Sequence, residues 1–184
     1  MKNKAFEACL HVIKRDGWKE FSFAKASQES AIPLHVFHEQ FSSPSDVMIQ
    51  LFRLIDEVVL KNLDSFEGLS PKDALFDILM SRFEAAQPYQ SVLKSFWRDW
   101  IINPAEAPAF ACQGFSSMAW MLEAASLESR GLKGIVRVQG LTALYLLTLK
   151  VWLNDNNPDL GQTMVFLDKG LIKLERAARF LNGF

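Results

Sequence analysis

The sequence predicts an all-α protein. Apolar residues recur at helical spacing along the whole chain, and strand-like alternation persists nowhere. Helix-starting and helix-ending residues also stand where the apolar runs begin and end: Gly17, Ser22, Pro33 and the run Ser43-Pro44-Ser45-Asp46. Composition agrees. Of 184 residues, 49% are hydrophobic and 22% charged, which is enough to build a core and too apolar for a disordered chain.

The first helix is predicted over 3–16, with Phe6, Cys9, Leu10 and Ile13 on one face. Gly17 suits the left-handed residue that ends it. Ser22 is a good N-cap for a second helix over 23–30. Ala31-Ile32 make the turn, and Pro33 opens the third helix, where its missing N–H costs nothing. Leu34, Phe37 and Phe41 fall at i, i+3 and i+7, so they are predicted to face the core. Ser43-Pro44-Ser45-Asp46 places a cap, a proline and an acid at the start of a long fourth helix to about residue 63. A linker over 64–71 follows. Further helices are predicted over 72–87, 91–102, 109–125, 132–153 and 159–181, with a tight turn at 154–158.

Several functional classes are excluded or left without support. Net charge is −1, so no global basic field points to nucleic acid. Residues 1–50 balance as well, with Lys2, Lys4, Lys14, Arg15, Lys19 and Lys25 against Glu7, Asp16, Glu20, Glu29, Glu39 and Asp46. The two cysteines, Cys9 and Cys112, have neither disulfide-framework nor zinc spacing and read as buried hydrophobes. His35 and His38 at i, i+3 lack a third ligand nearby, so no metal site is expected. Catalytic signatures and glycine-rich phosphate loops are missing, and no enzyme activity or cofactor is expected. Glu7 and His11 interrupt any signal-peptide core. The most apolar run, 136–153, carries Arg137, Gln139 and Lys150, which favours a buried helix over a membrane span. A cytoplasmic protein without stable membrane insertion is expected.

Helices two and three have the lengths and turn of a helix-turn-helix, which presents one helix to a DNA major groove. With Leu34, Phe37 and Phe41 inward, the outward residues can make specific contacts. His35 and His38 can donate to phosphates or base edges, Gln40 can read adenine and Val36 can touch a thymine methyl. Ser22 and Lys25 could reach phosphates from the second helix. The stretch from Ala5 to Val47 resembles, without gaps, the DNA-binding domain of the TetR family of transcriptional regulators. The matching positions are Phe6, Ala8, Gly17, Phe21, Ser22, Phe23, Ile32, Leu34, Phe37, Phe41 and Ser43. Set against that family, His38 stands where a phosphate-contacting Tyr is usual, Pro44 where a Lys is usual and Ala31 where a turn Gly is usual. The resemblance implies a helix-turn-helix domain over 1–47 and a ligand-binding and dimerisation domain over 48–184.

In the last helix Leu160, Met164, Leu167, Leu171 and Leu174 repeat in steps of four and three, a seam for helix-on-helix packing. The preceding helix is apolar nearly all round. The pair reads either as ordinary internal packing or as a homodimer interface, and the resemblance points to the latter. A crowd of Phe96, Trp97, Trp100, Phe110, Phe115, Met118, Trp120 and Met121 is broken by Pro104, Pro108 and Gly114. Such a region can line an adaptable apolar pocket, and TetR-like proteins hold their effectors in this part of the chain. The expected function is a ligand-responsive repressor that acts as a homodimer on double-stranded DNA and answers to a small hydrophobic effector. A second resemblance supplies an alternative. Leu141, Tyr145, Asp155, Pro158-Asp159, Thr163, Phe166-Leu167 and Ile172 are similar to the C-terminal helices of the coenzyme Q biosynthesis accessory family. That likeness implies an isoprenoid- or lipid-binding accessory protein of quinone metabolism with a vestigial helix-turn-helix.

Overall fold

The computed structural model describes residues 2–66, 68–102 and 107–181. Among them the chain is helical throughout, with no strand. The elements are α1 (Lys2–Asp16), α2 (Phe23–Ser30), α3 (Leu34–Gln40), α4 (Pro44–Leu60), α5 (Pro71–Ala86), α6 (Gln90–Ile102), α7 (Ala107–Ala124), α8 (Gly131–Trp152) and α9 (Gly161–Leu181). Short 3-10 turns at Leu63–Phe66 and Gln87–Tyr89 join three of them. The all-α expectation holds, and most ends fall within two residues of the expected ones.

Two compact units divide the chain. One contains residues 1–54 and 88–110, the other 55–87 and 111–184. The first unit holds the predicted three-helix region but also the start of α4 and all of α6. Aromatic packing accounts for α6. Trp18 meets Phe96 edge-on at 5.2 Å, and Phe96 meets Phe110 at 4.8 Å. Polar contacts fix the same approach. The Trp18 backbone N–H donates to Ser95 Oγ at 2.8 Å, and that of Lys19 to Asp99 Oδ2 at 3.1 Å. Gly17, at φ +90°, ends α1 as expected; a Cβ there would also stand 3.1 Å from Ser95 Oγ.

The second unit is organised by α8 against α9. Gly170 and Gly140 set their spacing: a Cβ on Gly170 would lie 2.2 Å from Leu144 Cδ1, and one on Gly140 3.3 Å from Leu174 Cδ2. Asp155 holds the start of α9. Its carboxylate accepts from the Thr163 backbone N–H and hydroxyl at 2.9 Å each and from the Asn157 N–H at 3.2 Å. Burial works to raise the Asp155 pKa, but these donors outweigh it and hold the carboxyl below its usual range. Deeper in this unit Arg82 donates to Asp56 at 2.7 Å, and its guanidinium lies 4.4 Å over the Tyr145 ring. Ser117 donates to the other Asp56 oxygen, so the buried pair is satisfied on both sides.

Candidate nucleic-acid interface

The α2–α3 corner is built from its own backbone and hydroxyls. Ser22 caps α2, its Oγ accepting from the Lys25 N–H at 3.2 Å. At the other end Ala31 takes the left-handed conformation, φ 54°. That conformation is strained for a residue with a Cβ, and glycine would adopt it freely. Ser27 Oγ donates to the Ile32 carbonyl at 2.7 Å and Ser30 Oγ to the Ala26 carbonyl at 2.6 Å, tying down the turn. Pro33 is the N-cap of α3 rather than its first helical residue. The helix is therefore seven residues long, two turns.

Phe37 and Phe41 are buried as expected, packed against Phe23 at 6.1 and 5.6 Å between ring centroids. Leu34 is not: it is 52% exposed. Two phenylalanines fill the space against α2, and Leu34 in the first turn extends past them. The outward face of α3 is thus Leu34, His35, His38 and Glu39, with Val36 half-buried at its edge. Gln40 is turned aside. Its amide nitrogen donates to Gln50 Oε1 on α4 at 3.1 Å, and its own Oε1 is buried without a partner. As placed, Gln40 is not free to read a base. Ser22 is half-buried and spends its oxygen on the cap, which leaves its hydroxyl hydrogen to donate.

The fixed cations beside this corner are largely neutralised. Arg15 Nε lies 2.7 Å from Asp16, and Arg15 Nη2 2.5 Å from Glu29. Lys25 Nζ stands 3.7 Å from Asp16 Oδ2. Hydrogen bonding from Arg15, with Lys25 adding its charge, holds the Asp16 carboxyl down at about 2. Lys4, Lys14 and Lys19 are exposed, but they belong to α1 and the loop after it. Local charge pairing of this kind is invisible in the sequence, because Arg15 and Glu29 meet only when α1 and α2 pack.

The residues expected to line an apolar pocket are spread out. Phe96 and Phe110 are buried in the first unit, where Trp97 also lies, half-buried; Met118 and Met121 are buried in the second. Phe115 and Trp120 lie on the surface of α7, Trp120 at 59% exposure. Pro104 and the side chains of Trp100 and Pro108 lie outside the described residues. A groove of about 370 Å³ opens elsewhere, between α5, α7, α8 and α9. Leu75, Leu122, Leu127, Val136, Leu141 and Leu171 form its walls, with Lys72, Arg137 and Glu175 at its polar edge. The wall residues come from four separate stretches of chain, α5, the end of α7 with the loop after it, α8 and α9, so no local pattern announced them.

The leucine seam of α9 faces inward. Leu160, Leu167 and Leu171 are buried in their own unit, Leu174 is half-buried and Met164 is exposed. Leu160 also precedes the helix, in a left-handed conformation at φ 52°. The seam therefore carries internal packing. What remains outward is a second stripe: Leu132, Ile135, Val136, Leu146 and Leu147 on α8, with Met164, Val165 and Phe166 on α9. Its α8 members stand at i, i+3, i+4, i+14 and i+15, within about a third of the helix circumference, so they form one face.

Neither the family models nor the curated proteins compared with this sequence include a match. Among solved structures, a TetR transcriptional regulator from Nitrosomonas europaea ATCC 19718 matches with a TM-score of 0.78. The match covers 94% of this chain and 96% of that one at 18% sequence identity. The chain has the TetR-like fold, over essentially its full described length.

Proposed function

We propose that this protein is a DNA-binding transcriptional regulator that acts as a homodimer and responds to an apolar effector. The observation that carries the reading is the α2–α3 corner: a capped helix, a pinned left-handed turn and a two-turn helix whose outer face meets no other part of its unit. A helix of that length and exposure suits a major groove. Ser22, Lys25, His35, Val36 and His38 remain the proposed contacts, and Leu34 joins them as a candidate for thymine methyls. Gln40 would contribute only after releasing Gln50. The outward stripe on α8 and α9 is the proposed dimer face, in place of the seam residues Leu160, Leu167 and Leu171. The groove lined by Leu75, Leu141 and Leu171 is the proposed effector site. Its volume and leucine walls suit a chain-like hydrophobic molecule. The reading places the protein in the cytoplasm, as a repressor released when the effector favours another spacing of the two recognition helices. Selection of duplexes from a randomised library by the purified protein tests it: a reproducible enriched motif is expected, and enrichment of nothing at low salt would sink it.

One observation favours the accessory-protein reading. The recognition face carries no fixed cation, and its neighbours Arg15 and Lys25 are paired to carboxylates. A protein of that kind would bind isoprenoids or lipids in the same groove and retain no duplex. The selection experiment separates the two.

A further inference from the structure

Resting on the DNA-binding reading, we propose that the interface is proton-coupled: His35 and His38 supply, when protonated, the cationic contacts that the fixed charges of this unit do not. The argument starts from what faces outward. On α3 the exposed residues are Leu34, His35, His38 and Glu39, so the two imidazoles are the groups on that face able to become positive. Neither makes a hydrogen bond or ion pair within the protein among the described residues. The charged groups on the elements packed around α3 are engaged or lie elsewhere. On α1, Arg15 and Asp16 are bound to each other and to Glu29 and Lys25 of α2; Lys4, Glu7, His11 and Lys14 also stand on that helix. On α4, Asp46 accepts from the Ser42 and Ser43 N–H groups at 2.6 and 3.1 Å, and Arg53 has a partner of its own. Glu39 stands four residues after His35 and one after His38, where it repels a phosphate unless an imidazolium offsets it.

Most of a DNA-binding protein's affinity comes from neutralising phosphates. Imidazole changes charge between about pH 5 and 8. A phosphate beside it favours the charged form and raises its pKa in the complex. The sign follows: complex formation takes up protons, so affinity increases as pH falls through the bound-state pKa. The gain is complete below the free-state pKa. A one-unit rise at one histidine multiplies affinity by up to about ten. Two histidines per subunit give up to about a hundredfold per subunit. The salt dependence moves with it. With Lys4, Lys19 and Lys25 alone, a dimer neutralises about six phosphates and its log–log salt slope is about −5. Four imidazolium contacts more bring it to about −9.

The test uses the full-length protein and the duplex enriched from a randomised library at pH 6. Affinity is measured from pH 5.5 to 8.5 at fixed ionic strength, and the salt slope at pH 6 and pH 8. The expected results are a gain of at least tenfold toward low pH and a steeper slope at pH 6, both lost in H35Q/H38Q. In H35K/H38K the charge is fixed, and tight binding should persist at pH 8, which covers the case in which the glutamine variant fails to fold. Equal affinity at both ends of the range, or a gain that survives in H35Q/H38Q, would overturn proton coupling while leaving the regulator reading standing. Retention of no duplex at any pH would overturn both.

Discussion

Ala31 holds the left-handed conformation at the turn of the candidate recognition unit, as Ser126 and Leu160 do elsewhere in the chain. A left-handed residue with a Cβ carries about 1–2 kcal/mol of strain. Glycine removes it but loses about 0.5–1 kcal/mol to its freedom in the unfolded chain. Ala31→Gly should therefore stabilise the protein by roughly 0.5 kcal/mol, read as a higher urea midpoint with an unchanged slope. Asp155 works the other way. Its folded pKa lies below that of the unfolded chain, so its contribution is present above about pH 4, the usual Asp range. It is lost as pH falls through the folded value. Asp155→Ala should cost about 1–2 kcal/mol near neutrality, as for loss of a helix cap. The difference between variant and wild type should shrink in acid; a difference constant down to pH 2 would show that the carboxylate charge is not what holds α9. Arg82 and Asp56 form a third case. Breaking one partner of a buried pair costs about 3–5 kcal/mol because the other charge is left alone. Asp56→Ala should reach that loss, and replacing both by Leu and Met should recover most of it. Additive losses in the double variant would contradict the coupling.

Helices themselves were largely legible, because their signals are local. Gly17, Ser22, the proline before α3 and the Ser43-Pro44 start each act within a few residues, and the observed ends follow them. The partners of those helices were less legible. A stripe such as Leu160–Leu174 states that α9 packs along one face, but nothing in it names the neighbour. The neighbour is α8 of the same chain, brought close by Gly140 and Gly170. Aromatic density misled for the same reason: Phe96 and Trp120 are near in sequence yet face a core and solvent respectively. The two faces of α9 can be separated experimentally. Leu147→Glu with Val165→Glu acts on the outward stripe and should give folded monomer by sedimentation. Leu167→Glu buries a charge and should unfold the chain instead. If the wild type sediments as monomer at micromolar concentration, the outward stripe is not a dimer face. The same pairing logic explains the compact unit of residues 1–54 and 88–110, whose bond between Trp18 and Ser95 spans 77 positions.

At the scale of the whole molecule, the proposed effector groove and the proposed DNA face lie in different compact units, so regulation requires that binding at one alters the other. Linkage makes the effect reciprocal: an effector that weakens DNA binding by some factor is itself bound more weakly, by the same factor, in the DNA complex. Leucine walls without a buried charge favour long-chain fatty acids or isoprenoid alcohols over short polar compounds. Such a ligand at one hundred times its dissociation constant should raise the unfolding free energy by about 2.7 kcal/mol. Leu127 tests the location, because it lines the groove from the loop after α7, is only half-buried and lies outside the proposed dimer stripe, so a larger side chain there fills space without entering the core. Leu127→Trp should abolish the ligand-induced thermal shift and leave the ligand-free melting temperature within a few degrees of the wild type. A shift that persists in this variant places the ligand elsewhere. A shift that is lost, in a protein whose wild type selects no duplex, favours the lipid-binding accessory role, since the groove would then work without any DNA to answer it.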